Sequence, residues 1–399
     1  MIRKILNITE NCTGCFACAN VCPKDAISLP VGFEGFYYPQ VDVNKCIDCG
    51  LCDKICPEIM PLDTISRYNA YYGWSKDDCI RKQSSSGGIF YHLATRILQV
   101  NGIVYGASFN YDGLVRLECH STQEVSLKEL MKSKYVQSHI GYAYRDVREN
   151  LNKGMKVLFC GTPCQAAGLR SFLRKDYENL ILVDFVCHGV PSMDLLQKHL
   201  DYLGINNVVE IDFRPKNTGW VDDFEIKYKK KSAKPTSTRL RRIPWVFDEY
   251  FYSFQSYKST RRSCRNCSYC NGARASDITI ADFWGIKEYN PALWDAKGQS
   301  LILANNERGV NLVKALQKEK SIVLNDLPNE YAEYVYKRYR TNEDSPYRNR
   351  TRDVFLNDVY QYGYAYALHK HKLYTPYMKI VKYRVKKKII QLLKILKLK

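Results

Sequence analysis

Apolar and polar positions along this chain follow two rhythms, and the stretches between them follow neither. In "KVLFCGTPCQAAGLRSFL", starting at Lys156, a short apolar run meets a tight turn and then a helix-length pattern. "LILVDFVCHGVPSMDLLQKHL" repeats the plan, with a strand over Leu180–Val186, a turn over Cys187–Pro191 and a helix from about Ser192. Two consecutive strand–turn–helix units predict an α/β core with a parallel or mixed sheet. Upstream, Ile89, Leu93, Ile97 and Leu98 share one face of a helix that follows "SSSGG", and Ile103–Phe109 reads as a strand. "DITIADFWG", from Asp277, is also strand-like. Near the end, Met378, Val381, Val385, Ile389, Leu392 and Leu396 recur at spacings of three and four, the stripe of an amphipathic helix. The first sixty residues show no such rhythm.

A length of 399 residues suits two or three domains at ~100–200 residues each. No apolar run approaches the ~20 residues of a membrane-spanning helix. Met1–Glu10 lacks the apolar region of a signal peptide, so a cytoplasmic location is expected. In that compartment sixteen cysteines point to metal or redox chemistry rather than disulfides. The net charge of +19 is uneven: Lys227–Arg242 holds eight Lys/Arg and Lys370–Lys399 eleven, and neither stretch has an acid. No finger, helix-turn-helix or RNA-binding signature accompanies this charge, so no nucleic-acid partner is expected. The basic tail helix has two readings: a peripheral contact with an anionic membrane surface on the inner face, or a helix docked on its own domain.

Cysteine changes the picture most. Cys12, Cys15, Cys18 and Cys22 form C-x2-C-x2-C-x3-C closed by Pro23; Cys46, Cys49, Cys52 and Cys56 repeat it, closed by Pro57. This is the spacing of two-cluster 4Fe-4S ferredoxins, in which the fourth cysteine of each run ligates the other cluster. The expected rings are Cys12, Cys15, Cys18 and Cys56, and Cys46, Cys49, Cys52 and Cys22. Small residues between the ligands (Gly14, Ala17, Ala19, Gly50) let backbone amides approach the sulfurs. Zinc sites usually present two spaced pairs, which this pattern does not resemble. The expected fold is therefore an α+β ferredoxin-like N-terminal domain, an α/β core and a helical basic tail.

Further candidates lie in the core. The turn Ser84–Gly88 ahead of a helix is either an anion site, through free amides and the helix dipole, or a plain cap. "KSKYVQSHIG" (Lys132–Gly141) reads alone as a surface segment. Thr162 suits an N-cap and Pro163 the first helical position. Cys164 then falls in the first turn, where the dipole is expected to lower a thiol pKa. Ligands collect at the carboxyl ends of strands in such sheets, where Cys160, Cys164 and Cys187 fall. Cys264, Cys267 and Cys270 follow, and a C-x2-C with two strand-end cysteines makes a third metal site, by spacing either zinc or a cluster. His188 is a candidate proton donor or a turn-stabilising histidine. Cys79 and Cys119 fit no motif and read as ordinary thiols.

Taken in order, the two cysteine runs, "SSSGGIF", "SKYVQS", "LFCGTPCQ", "VCHGVPS", "SCRNC" and "SDITIADFWG" resemble bacterial relatives of the coenzyme F-420 hydrogenase/dehydrogenase beta subunit with a fused two-cluster ferredoxin. The resemblance covers residues 1 to about 320; the cationic tail from about Thr341 lies outside it. It implies four units: a ferredoxin domain over 1–62, two domains of the beta subunit's N-terminal type (63–150) and its C-terminal type (151–325), and a basic helical tail over 326–399. It also implies FAD held by Ser86, Gly87 and Gly88 with Lys134 and Tyr135 beside its phosphates. A third 4Fe-4S cluster would rest on Cys164, Cys187, Cys264 and Cys267, with Cys160 competing and Cys270 additional. The implied activity is an oxidoreductase passing electrons between clusters and flavin, to or from a two-electron carrier or substrate. A redox partner protein or low-potential donor and a role in surface-polysaccharide synthesis belong to the same resemblance. The alternative is an electron-transfer partner without its own substrate site.

Overall fold

The computed structural model describes residues 10–64, 68–216, 219–220, 225–231, 238–269, 274–331 and 346–395. The cysteine-rich segment forms two short helices, Ala17–Val21 and Leu51–Lys54, and a ladder of β1 (Ile27–Ser28) with β2 (Gln40–Val41). Its two halves repeat each other in backbone as well as sequence. Gly14 and Asp48, then Phe16 and Gly50, all take positive φ. Each pair sits at matching places in the two runs, where the loop must coil left-handed to turn three sulfurs inward.

The core contains β3 (Asn69–Ser75), β4 (Ile103–Asn110), β5 (Arg116–Ser121), β6 (Val157–Cys160), β7 (Leu180–Phe185), β8 (Val208–Asp212), β9 (Glu225–Lys231), β10 (Thr238–Pro244), β11 (Ile278–Asp282), β12 (Ser300–Ala304) and β13 (Ile322–Leu327). Eight of these make one sheet in the order β13-β3-β12-β11-β7-β6-β4-β5. Its centre, β11-β7-β6-β4, is parallel, as the strand–turn–helix units predict. The flanks are antiparallel: β12, β3 and β13 on one side and β5 on the other. β3 precedes β4 in sequence yet lies between β12 and β13, so segments 63–150 and 151–325 build a single sheet.

A second sheet, β10-β9-β8, is antiparallel. Helices Met193–Tyr202, Glu249–Gln255, Pro346–Tyr362 and Tyr364–Lys370 share its apolar core, with Leu196, Tyr228, Phe251, Phe355, Leu356 and Leu368 buried together. The first part of the segment expected as a tail is thus core; its basic composition hid Phe355, Leu356 and Val359. The helix Tyr377–Ile395 follows.

The cysteine-rich unit is packed into the rest. Phe16 and Ala17 share one apolar cluster with Val157, Phe159, Leu169 and Phe172. Arg145 donates to the carbonyls of Ala19 (3.1 Å), Asn20 (2.8 Å) and Cys22 (2.9 Å), the orphan acceptors at the end of the first helix. Buried Arg261 donates to the carbonyls of Cys12 (2.6 Å) and Tyr37 (2.8 Å). Arg352 forks onto Glu34, both buried, through Nη1–Oε1 at 2.9 Å and a second, shorter contact. The segment Lys132–Gly141 is not a surface stretch: Val136, Gln137, Ser138 and Ile140 are buried at this junction, and Gln137 donates to the Thr13 carbonyl at 3.0 Å.

Candidate functional site

The local fold gathers the eight N-terminal cysteines into two rings. Cys12, Cys15, Cys18 and Cys56 line one cavity with Leu29, Pro39 and Glu58. Cys22, Cys46, Cys49 and Cys52 line another with Ile27, Val41, Ile47 and Leu51. In each ring three thiols come from one run and the fourth from the other, as the spacing predicts. Among the described residues no three Cys, His, Asp or Glu side chains meet closely enough for a single ion. The thiols instead surround a space, an arrangement that fits a cubane of four irons. Burial pushes the Cys15 and Cys18 thiols far up, and Cys56 to about 11. A buried thiolate needs a compensating cation, and iron supplies one. Burial also lifts the Glu58 carboxyl to about 7.

The third set assembles at the carboxyl ends of β6 and β7. Thr162 and Gln165 form a reciprocal cap that starts the helix Pro163–Leu173 and fixes Cys164 in its first turn. Gly189, at φ 98, lets the turn after β7 close over Cys264: a Cβ there would lie 3.2 Å from the Cys264 Cβ. Cys164, Cys187, Cys264 and Cys267 are mutual electrostatic neighbours, and Cys267 feels the other three. Burial raises Cys164 to about 12 and the others upward too. The thiol-lowering expected from the helix dipole is therefore reversed, because desolvation outweighs the dipole. Four convergent buried thiols fit a further cluster. Cys160 stands apart, with Asp184 and Lys134 as its charged neighbours. Cys270 lies outside the described residues. Cys119 is tucked against the core and Cys79 is exposed.

The first ring abuts the third through one glycine. Gly168 lies one turn beyond Cys164 on the same helix, and a Cβ on it would stand 2.9 Å from the Cys15 Cβ and 3.0 Å from its sulfur. Buried Tyr269 lies between the two sets, its hydroxyl sensing Cys15, Cys164 and Cys267.

The structure also joins the glycine turn to the Lys134 segment. Ser85 Oγ accepts from the Ser133 amide at 2.7 Å. Ser86 Oγ donates to the Gln299 carbonyl at 2.6 Å, and Gly87 N to Ser300 Oγ at 2.9 Å. Gly87 has no room for a side chain, since a Cβ would be 2.4 Å from the Gly73 carbonyl. No serine side chain caps the helix Ile89–Leu98; Gly88, at φ 91, occupies the N-cap. Two buried ammonium groups face this region. Lys134 donates to the Met131 carbonyl at 2.6 Å, and burial lowers its pKa to about 7. Lys216 donates to the carbonyls of Arg81 and Lys297, each at 2.8 Å, and of Ser86, with burial again lowering it to about 7. Arg214 binds the Tyr135 hydroxyl (2.9 Å) and Asp282 (3.2 Å). Trp220 and Trp284 stack with centroids 5.1 Å apart. His188 is buried, and that burial lowers its pKa against the pull of Asp282. Burying lysines beside a tight glycine turn is costly unless an anion joins them, so the donor set fits the phosphates of a dinucleotide such as FAD.

Sequence reasoning missed Arg214, Lys216, Trp220, Arg261 and Tyr269. Only Trp284 carried a signal, inside "DITIADFWG". The others are brought in by tertiary contacts with no spacing to reveal them.

A four-cysteine repeat beside a third thiol set defines an iron–sulfur electron-transfer protein. Residues 154–330 match the family described as the C terminus of the coenzyme F420 hydrogenase/dehydrogenase beta subunit, and 11–59 match the 4Fe-4S dicluster domain. The chain belongs to that beta-subunit family and carries the dicluster domain joined to it. An uncharacterized polyferredoxin-like protein of Methanocaldococcus jannaschii is 37% identical over 67 residues, 15% of this chain and 40% of that one. A ferredoxin-like protein of the nif region of Azotobacter vinelandii is 37% identical over 60 residues, 14% of this chain and 60% of that one. The chain thus spans less than two thirds of the length of these relatives. A chain of the xenon-derivatised F420-reducing [NiFe] hydrogenase complex from Methanosarcina barkeri is 14% identical with a TM-score of 0.46, over 74% of this chain and 93% of that one.

Proposed function

We propose that this chain is an iron–sulfur flavoprotein oxidoreductase. The observation that carries it is the contact of Cys15 with Gly168, one helical turn from Cys164, which sets the buried ring against the third thiol set. Cys12, Cys15, Cys18 and Cys56 would hold one 4Fe-4S cluster, Cys22, Cys46, Cys49 and Cys52 a second, and Cys164, Cys187, Cys264 and Cys267 a third. Ser86, Gly87 and Gly88 would hold FAD, with Lys134 and Tyr135 at its phosphates and Lys216 fixing the turn. Such clusters supply one-electron transfer, and FAD supplies the exchange between one- and two-electron chemistry. The chain's own residues exclude water from the buried ring, through Phe16 and Tyr269, and neutralise phosphate charge, through Lys134 and Lys216. Exposed Cys49, with exposed Ile47 beside it, marks the side that a redox partner protein or low-potential donor would approach. The electrons would pass to or from a two-electron carrier or substrate, in a cytoplasmic reduction serving surface-polysaccharide synthesis beside a membrane. His188 is the proton-donor candidate nearest the third thiol set.

The test is iron, acid-labile sulfide and flavin content of anaerobically purified protein. About twelve irons per chain with about one FAD is the expected result. About eight irons without flavin would remove both the third cluster and the flavin site.

A further inference from the structure

The helix Tyr377–Ile395 presents two opposite faces, and the protein uses only one of them. Ile380 packs against the core beneath β8–β10. Tyr383 meets Phe247 edge-on at 5.1 Å. Arg384 pairs with Glu225 at 3.0 Å and donates to the Arg242 carbonyl at 2.6 Å. At 100° per residue these three positions fall in one sector. Met378, Val385, Ile389 and Leu392 fall in the opposite sector, and they are 61%, 52%, 51% and 57% exposed. Val381 of the predicted stripe is half-buried, and Leu396 lies outside the described residues. Lys379, Lys382 and Lys386, all exposed, flank the bare apolar row.

The docked face also ties the helix to a second basic element. β9 and β10 pair so that Lys227, Lys229 and Lys231 oppose Arg242, Leu240 and Thr238 on the face away from buried Ile226 and Tyr228. Leu240 is exposed among these cations. The two stretches richest in Lys/Arg, both without acids, are therefore joined at Arg384.

We infer that this helix, with the β9–β10 hairpin beside it, is a docking plate for an anionic lipid bilayer. An aliphatic row at interfacial depth with lysines at its rim suits headgroups above and acyl chains below. Nucleic acid would use the cations and leave the row wet. No described helix is long and apolar enough to cross a membrane, so the contact is peripheral. The inference rests on the membrane-adjacent placement proposed above and not on the redox chemistry. Bilayer binding without flavin would sink the oxidoreductase alone; flavin without bilayer binding would sink this surface alone.

The experiment is co-sedimentation of the full chain with vesicles of phosphatidylcholine containing about one-third phosphatidylglycerol, and with phosphatidylcholine alone. The protein is expected to sediment with the first and stay in solution with the second. Ile389→Glu/Leu392→Glu is expected to lower partitioning about ten-fold, and Lys382→Glu/Lys386→Glu to lower it at least as much in low salt, with iron content unchanged. Val385→Gln, milder on folding, is expected to weaken binding a few-fold. Failure of the unmodified chain to sediment would overturn the inference. So would a loss on charge reversal that the apolar variants do not share, since that pattern describes a polyanion-binding face.

Discussion

The two rings of the cysteine repeat share spacing and backbone but not surroundings. Cys12, Cys15 and Cys56 are buried, pressed on the core helix at Gly168 and overlooked by Glu58 and Tyr269. In the other ring Cys49 is exposed, Cys22 and Cys46 are half-buried, and Ile47 stands open beside them. One repeat unit has thus been given an inner and an outer role by what packs on it. The inner ring meets the rest of the protein and the outer ring meets solvent. Solvent exposure and nearby hydrogen bonds are among the levers that set cluster potential, so the two are expected to titrate at different potentials despite identical ligands.

The sharpest way to break this comparison is to remove one ligand from each ring. Cys15→Ser is expected to cost about four irons and to stop electron delivery to the core, whereas Cys49→Ser is expected to leave delivery from a small chemical reductant intact. Iron analysis and flavin bleaching separate the two. Next in size is the joint that holds the inner ring in place. Arg352→Met leaves Glu34 buried and alone, and a loss of about 3–5 kcal/mol in unfolding free energy is expected from denaturant titration. Gly168→Val must push Cys15 away from the helix; a cost of about 1–3 kcal/mol is expected, with electron passage slowed more than stability would suggest. At the outer ring, Ile47→Glu is expected to change only the rate with a protein donor, by a few-fold, with iron content and melting temperature unchanged.

A pH dependence sharpens the same contrast from the anion-binding side. Lys134 and Lys216 sit near 7 in the fold, against about 10.4 for a free lysine. Between those values the unfolded chain binds more protons than the folded one, so stability without ligand is expected to rise from pH 7 to about 10. Below pH 7 both states are protonated and the contribution is flat. Pyrophosphate or FAD should hold the lysines charged and erase the rise, which thermal melts across that range would detect.

The cysteine runs were legible because cluster ligation demands a fixed local spacing, and even the exchange of the fourth ligand follows from it. The central strands were legible through their turns, where Thr162–Pro163 and Ser192 announce helices. The antiparallel flanks were not, since nothing in Asn69–Ser75 tells that it lies between β12 and β13. Lys132–Gly141 misled because its polar residues satisfy buried carbonyls rather than water, as Gln137 does at Thr13. Cys164 misled because a helix-terminus rule holds at a surface, and this terminus is buried. Lys216 carried no mark at all: its role comes from three carbonyls contributed by residues 81, 86 and 297.

The central claim, that electrons enter the core through the inner ring, is tested most directly by stopped-flow mixing of the anaerobic protein with a reduced low-potential ferredoxin. Flavin absorbance is followed in the unmodified chain and in Cys15→Ser. Rapid flavin reduction is expected in the first; in the variant, flavin should remain bound and reducible by dithionite but not by the protein donor. Flavin reduction by the ferredoxin at an unchanged rate in Cys15→Ser would contradict the claim.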